Sequence, residues 1–411
     1  MLFRSTIRYP DVLGSQDVLE DLNPVNRFHL VAIRAGVAKL PLHYGVAPRW
    51  LVSRMRRLAK PIVAAIVDEY GTEEIIKRIS NPYWFQALGC TLGYDWHSSG
   101  LTTVTTGVLK TVIDGDETGL AVAGGKGKRS RMAPSEIEEI ASAFGFSTAR
   151  TESLSYASRM CAKVDSAAIQ AGYPLYHHAF FVSEKGTWAV IQQGMDTREH
   201  MARRYHWLSS DVKSYVVEPH SAVVCDVRRE VALDMTAMES ESCRRTCTDL
   251  SKEKPGVVMR MLRSIRPKHQ RSLLDYFPTV GEKEREFVID ALYMPRNLNW
   301  SAVQRAYEFQ PKNYEQLLSM KGIGPATVRG LALISDLVYG DPPSWRDPVR
   351  FSFTVGGKDG VPFPIKREEM DRLIEILEKG IREARLGDRE KISAVKRLRN
   401  LIAGWTDRSG G

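Results

Sequence analysis

Six polar side chains in the first half of this 411-residue chain have the types and spacing that phosphodiester chemistry uses. Asp95 and His97 lie two residues apart in DWHSSG. In an extended segment both project to the same side, as two ligands of one cation must. Lys163 and Asp165 follow in YASRMCAKVD, and His178 and Gln192 in LYHHAFFVS and TWAVIQQG. Carboxylates and imidazoles together hold a divalent ion such as magnesium or manganese, which generates hydroxide and neutralises charge on a scissile phosphate. The expected centre is therefore Asp95, His97, Asp165 and His178 on the metal, with Lys163 steadying the phosphate and Gln192 beside His178. His220 is a further possible ligand. The competing reading is a hydrogen-bonded polar core in which the histidines pair with backbone.

These residues need particular elements to position them. Residues 155–171 carry a helical pattern, with Arg159, Lys163, Ser166 and Gln170 on one polar stripe and Met160 and Val164 facing elsewhere. LYHHAFFVS and TWAVIQQG, rich in aromatic and β-branched residues, flank Glu184-Lys185-Gly186 as the two arms of a hairpin. A three-residue loop sets Ser183 opposite Thr187, His178 opposite Gln192 and His177 opposite Gln193. Adjacent strand residues face opposite ways, and His178 is expected to share its face with Tyr176 and Phe180. DTREHMARRYHWLS is expected to return to helix, with Arg203, Arg204, His206 and Trp207 making a basic, aromatic surface, and VVEPHSAVVCD to strand. Gly124-Gly125-Lys126-Gly127-Lys128 reads as a basic loop able to contact phosphate through Lys126 and Lys128 and through a backbone nest. It is not a P-loop, because Arg129 stands where Ser or Thr should follow Gly-Lys.

The stretch LLSMKGIGPATVRG, residues 317–330, points to a partner. A short helix ends near Met320, Lys321-Gly322-Ile323-Gly324 turns tightly, and Pro325 opens a second helix where its missing N–H costs nothing. The glycines let main-chain amides approach an anion, and the helix N-terminus favours negative charge. The pattern resembles the helix-hairpin-helix element of DNA repair and recombination proteins. That resemblance implies contact with the DNA backbone rather than with bases, through Lys321, Gly322, Ile323, Gly324, Ala326, Thr327 and Arg329. The surrounding helices also resemble helix-hairpin-helix DNA glycosylases. Ala326 occupies the position of the Schiff-base lysine of bifunctional members, and Asp341 or Asp347 lies where their catalytic aspartate would fall.

Lys and Arg number 58 against 49 Asp and Glu, giving a net charge of +9 and favouring a polyanionic partner. DNA is the expected one; RNA shares its backbone. Five dispersed cysteines read as reduced thiols, and no leader or membrane-spanning run is evident, so a cytoplasmic, non-membrane protein is expected. The fold class expected is α+β: an extension over 1–33, a mixed domain with a small antiparallel sheet over 34–247, an all-helical module over 257–340 and a helical tail over 341–411. TDLSKEKPG, residues 248–256, reads as a linker. RAGVAKLPLHYGVAPRWLVSRM, NPYWFQALGCTLGYDWHSSG, GGKGK, YASRMCAKVD, YHHAFFV, WAVIQQGM and ARRYHW together resemble domain-of-unknown-function family 763 of archaea and some bacteria, over roughly residues 34–385. That family implies no catalytic residues. The function expected is a DNA-processing enzyme, a metal-dependent nuclease of repair or recombination. The alternatives are a base-excision glycosylase and a non-enzymatic accessory DNA-binding protein.

Overall fold

A computed structural model describes residues 47–94, 100–199, 201–225, 227–265, 294–295, 298–350, 377, 379–384 and 387–406. Asp95, His97, the extension over 1–33 and residues 266–293 of the expected helical module lie outside the described residues. The class is α+β. Helices α1 (Arg49–Tyr70), α2 (Thr72–Ser80), α3 (Pro82–Thr91), α4 (Gly100–Val112) and α5 (Gly115–Thr118) precede the first strand. In α1, Met55, Leu58, Ala59, Ile62, Val63 and Ile66 form the buried stripe, and the helix runs through Pro61 because packing holds it there. Asn81 caps α3 by accepting from the Tyr83 and Trp84 amides at 3.0 and 3.1 Å, with Pro82 at the first helical position.

Strands β1 (Leu120–Lys126), β3 (Leu175–Ser183), β4 (Trp188–Asp196), β5 (Met201–Leu208) and β6 (Ala222–Val224) form an antiparallel sheet in that order. Short β2 (Ile169–Gln170) pairs with β7 (Leu233–Asp234). The hairpin has the register its loop length implies: His178 faces Gln192 and His177 faces Gln193, and the Ser183 amide donates to the Thr187 carbonyl at 2.9 Å. A bulge between Leu175 and His177 turns Tyr176 to the other side, however, where its hydroxyl meets Gln193 rather than the His178 face.

The sheet is covered on both faces, which is unusual for antiparallel strands. Ala179, Phe181, Ala189, Ile191 and Leu208 pack with α1–α4 and α13 (Asp388–Thr406). Phe180, Val182, Val190, Tyr205 and Trp207 pack on the opposite layer. That layer contains α6 (Ala133–Ala143), α7 (Thr148–Lys163), α8 (Glu241–Ser251), α9 (Pro255–Ser264), α10 (Trp300–Phe309), α11 (Tyr314–Ser319) and α12 (Pro325–Ile334). One core thus continues from the sheet into the helices that carry the Gly-rich turn. The stretch 248–256 is the end of α8 and the start of α9, with Leu250 buried between them.

Two local expectations give way to tertiary packing. ARRYHWL, whose Ala, Arg and Leu favour helix, is β5, paired along its length with β4. Alternation of Arg203, Tyr205 and Trp207 against Arg204 and His206 fits the pleat, and cross-strand partners outweigh a weak helix propensity. Residues 120–126 of the Gly-rich segment form β1 rather than a loop. Gly124, at φ +88°, is required there, since a Cβ would lie 2.2 Å from the His178 carbonyl oxygen.

Candidate functional site

Helix α7 and the strands opposite it build a buried chain of polar side chains. Ser147 starts α7 by accepting from the Arg150 amide at 3.3 Å. At its far end the helix widens into a π turn over Val164–Ala168, which carries Asp165 inward. Ser158 and Asp165 are seven residues apart and so share the sheet-facing side. Between them stand His178 of β3 and Gln192 of β4, a directly opposed cross-strand pair. Ser158 Oγ is 2.9 Å from His178 Nε2, and His178 Nδ1 is 2.9 Å from Gln192 Oε1. Gln192 Nε2 then donates to Asp165 Oδ2 at 2.5 Å, which also accepts from Trp207 Nε1 at 3.0 Å. Asp165 Oδ1 lies 2.5 Å from His220 Nε2.

Hydrogen-bond polarity follows from the carboxylate, which only accepts. Gln192 must turn its NH2 toward Asp165 and its carbonyl toward His178. His178 therefore carries its proton on Nδ1, and Nε2 presents a lone pair to the Ser158 hydroxyl. The hydroxyl donates to it. His178 and Gln192 were singled out by their strand register. Ser158, Trp207 as a hydrogen-bond donor and His220 as the second Asp165 partner were not. The seven-residue spacing of Ser158 and Asp165 on one helix face was the signal available for Ser158.

The Ser158 end of this chain opens on a cleft of about 300 Å³ between the turn at Gly127–Met132, α7 and β3. Arg131, Arg159 and Lys163 line it, and no carboxylate is among its lining residues. Burial pulls the Lys163 ammonium below its ordinary value. Lys163 thus stands beside the chain while Asp165, two residues on, points into the protein. Of the four ligands expected for a metal, Asp95 and His97 lie outside the described residues, and Asp165 and His178 do not meet directly. Both Asp165 oxygens are engaged, and Gln192 separates Asp165 from His178. No group of three or more His, Cys, Asp or Glu among the described residues is placed to hold a metal.

Three histidines of the sheet are held neutral. Burial pushes His177 from 6.5 to about 3 and also lowers His178 and His206. For His178, the Gln192 bond and the Asp165 charge partly oppose that shift. An unfolded chain takes up these protons near pH 6.5. Below that value, down to the lowered native values, the unfolded state binds more protons, so stability is full above pH 6.5 and declines as pH falls. His177 alone is expected to remove about 2 kcal/mol at pH 5 relative to pH 7, with the other two adding to it. Urea unfolding at the two pH values checks this; equal midpoints would mean the imidazoles are protonated or exposed in the folded protein.

Arg203 and Arg204, expected on a basic surface, are buried. Arg203 Nη2 pairs with Asp347 Oδ2 at 2.5 Å, and its guanidinium stacks 4.4 Å from the Tyr173 ring centroid. Asp347 also accepts from the Arg229 and Val349 amides at 2.7 and 3.1 Å, so it pins a loop to the sheet. Asp341 accepts from Thr246 Oγ1 at 2.6 Å. On the opposite face, Arg204 bonds His206 Nε2 at 2.8 Å, Gln86 Oε1 at 3.1 Å and Thr102 Oγ1 at 3.3 Å. Both arginines are cross-links inside the protein rather than surface for a nucleic acid. Lys126 and Lys128 are exposed, but the anion-binding place at the Gly124 amide is filled by Glu136 Oε2 at 2.6 Å, which also takes Lys110.

The Gly-rich turn joins α11 to α12. Gly322, at φ +92°, packs against Asn299, Ala302 and Arg305 of the α10 region, whereas a Cβ on Gly324 would meet nothing within 4 Å. Three side chains donate to carbonyls of the corner: Lys163 Nζ to Met320 at 3.2 Å, Arg305 to Lys321 at 2.9 Å and Gln170 to Pro325 at 2.9 Å. The amides of Gly322, Gly324, Ala326 and Thr327 have no protein acceptor among the described residues. Lys321 and Pro325 are exposed, Ile323 and Thr327 buried, and Arg329 lies over the Trp345 ring at 5.2 Å. With its carbonyls taken and its amides left, the corner is electropositive.

These features define an α+β protein with a buried Ser–His–Gln–Asp chain that opens on a cationic cleft. The chain belongs to the family described as Protein of unknown function (DUF763), which it matches over residues 36–365. None of the curated proteins and none of the solved structures matches it. No helix among the described residues is long and apolar enough to cross a membrane.

Proposed function

We propose that this protein grips DNA by its sugar–phosphate backbone and processes strands in repair or recombination, as a nuclease acting in the cleft beside α7. The corner at Lys321–Gly324 is then a helix-hairpin-helix grip, whose amides take a phosphate without reading bases. The observation that carries the reading is the 3.2 Å hydrogen bond from Lys163 to the Met320 carbonyl. It ties the corner with the free amides directly to the helix that lines the cleft with Ser158, Arg159 and Lys163. The surplus of basic residues supports the same partner.

Fluorescence anisotropy with labelled single-stranded, duplex and flapped DNA of unrelated sequences tests the grip. Affinity should be insensitive to sequence and fall linearly in log–log form as salt rises, with a slope of about −0.9 per phosphate contacted on duplex. Strand cleavage is followed on the same substrates in magnesium, manganese and EDTA, with RNA as a parallel substrate. Binding that ignores salt, or that depends on one base sequence, would overturn the reading.

A further inference from the structure

We propose that Ser158 is a nucleophile, and that its Oγ attacks a phosphodiester in the cationic cleft to form a covalent phosphoseryl intermediate. The inference deepens the reading above, on which its choice of natural substrate rests. The geometry of the hydroxyl carries it. A hydroxyl inside a helix ordinarily donates back to the carbonyl three or four residues earlier, as Thr248 does to Arg244 at 2.8 Å and Ser251 to Thr248 at 2.6 Å. Ser158 instead has His178 as its partner among the described residues, at 2.9 Å. The partner nitrogen is the one that the Gln192 and Asp165 bonds leave unprotonated. A hydroxyl, an imidazole that accepts from it and a third group that fixes the imidazole tautomer are the parts of an activated nucleophile. Gln192 stands where a carboxylate usually orients the base, with Asp165 behind it. Gln192 and Asp165 are positioning residues, because both act on the hydroxyl through His178, although Gln192 also lines the cleft.

The step balances without any further reagent. As the Ser158 Oγ–P bond forms, the hydroxyl proton passes to His178 Nε2, and the imidazolium is held by the Gln192 carbonyl and the nearby Asp165 charge. Arg131 and Arg159 face the charge on the non-bridging oxygens. In-line displacement puts the leaving oxygen on the far side of phosphorus, so His178 cannot protonate it. The P–O bond to the sugar breaks, and the departing alkoxide takes a proton from the Lys163 ammonium, which burial makes easier to deprotonate. Water then attacks phosphorus from the side the leaving group vacated and gives a proton to the neutral Lys163 amine, restoring its ammonium. The P–Oγ bond breaks and His178 returns its proton to Oγ.

The probe is bis(4-nitrophenyl) phosphate, an activated phosphodiester small enough to need no DNA grip, with the full-length protein. The expected result is a burst of one nitrophenolate per protein, and a phosphoryl adduct that peptide mass spectrometry places on Ser158. Ser158→Ala removes the burst and the adduct while the protein stays folded, its thermal midpoint lowered by about a few degrees because His178 Nε2 loses its buried partner. Ser158→Cys moves the adduct to sulfur. His178→Ala slows release by about 100-fold or more, and added imidazole restores part of it. Release unaffected by Ser158→Ala, or an adduct on another residue, overturns the nucleophile. DNA anisotropy on the same preparation separates the two readings. Protein that binds duplex but is never labelled at Ser158 loses the nucleophile and keeps the grip. Labelling at Ser158 without duplex affinity loses the grip and keeps the nucleophile.

Discussion

Asp165→Ala is expected to destabilise the folded protein by about 3–5 kcal/mol, because three buried donors lose their acceptor together. Gln192 Nε2, Trp207 Nε1 and His220 Nε2 all converge on this carboxylate, which is 1% exposed. Water has no easy route to replace it, and each orphaned donor carries a desolvation penalty of roughly 1–3 kcal/mol. Asp165→Asn should be much milder, at about 1–2 kcal/mol. Its amide oxygen can keep the Gln192 and Trp207 bonds while its NH2 faces His220, which can accept by changing tautomer. The two variants differ in size less than in what they leave unpaired, so urea unfolding of both isolates the hydrogen-bond contribution. Equal stability of Asp165→Ala and the parent protein would mean that the chain from Ser158 to His220 is not the buried network described. Asp165→Asn also keeps Gln192 in orientation while removing the negative charge near His178, so it tests the charge separately from the tautomer.

A second large effect is expected at the corner, where Gly324→Asp should weaken DNA binding at least about tenfold, or 1.4 kcal/mol, with no loss of thermal stability. Gly324 caps α12 in an extended conformation at φ −115° and ψ −174°, and its Cβ position is open. Aspartate at that position accepts from the amides two and three residues on, those of Ala326 and Thr327, and is a better cap than glycine by a few tenths, about 0.3 kcal/mol. It places a carboxylate where a phosphate would otherwise sit, beside the helix dipole that would have favoured either. Stability and affinity therefore move in opposite directions, which separates a lost ligand site from a damaged fold. Gly322 does not offer this separation. At φ +92° a Cβ would fall 2.9 Å from Ala302, Asn299 and Arg305 atoms, so any side chain there strains the fold by roughly 1–3 kcal/mol. Duplex affinity unchanged in Gly324→Asp would remove the corner from the DNA interface. Anisotropy paired with a thermal melt on each variant reads both quantities.

Local sequence determined the elements whose signals lie within a few residues of one another. The hairpin arms, its three-residue loop and the facing of His178 by Gln192 followed from alternation and loop length, because a strand pleat has a period of two and a tight turn fixes register. The apolar stripe of α1 and the turn between α11 and α12 were legible for the same reason. What lay beyond reach depended on partners distant in the chain. ARRYHW became β5 because β4 offered it a ladder, and Arg203 became an interior cation because Asp347, 144 residues away, neutralises it. A single residue inserted at the bulge sent Tyr176 to the other face, and the π turn after Lys163 swung Asp165 inward. Ser158 gave no sign of its role beyond its seven-residue spacing from Asp165. A helix exposes its hydroxyls all round, and only packing against the sheet decides which one meets an imidazole. The sequence by itself thus determined the local elements and the chemical types available, whereas tertiary structure decided which of those groups share a dry interior and bond to one another. The physical reason is range: periodicity and turn geometry act over a few residues, but burial and pairing are properties of surfaces brought together from across the chain.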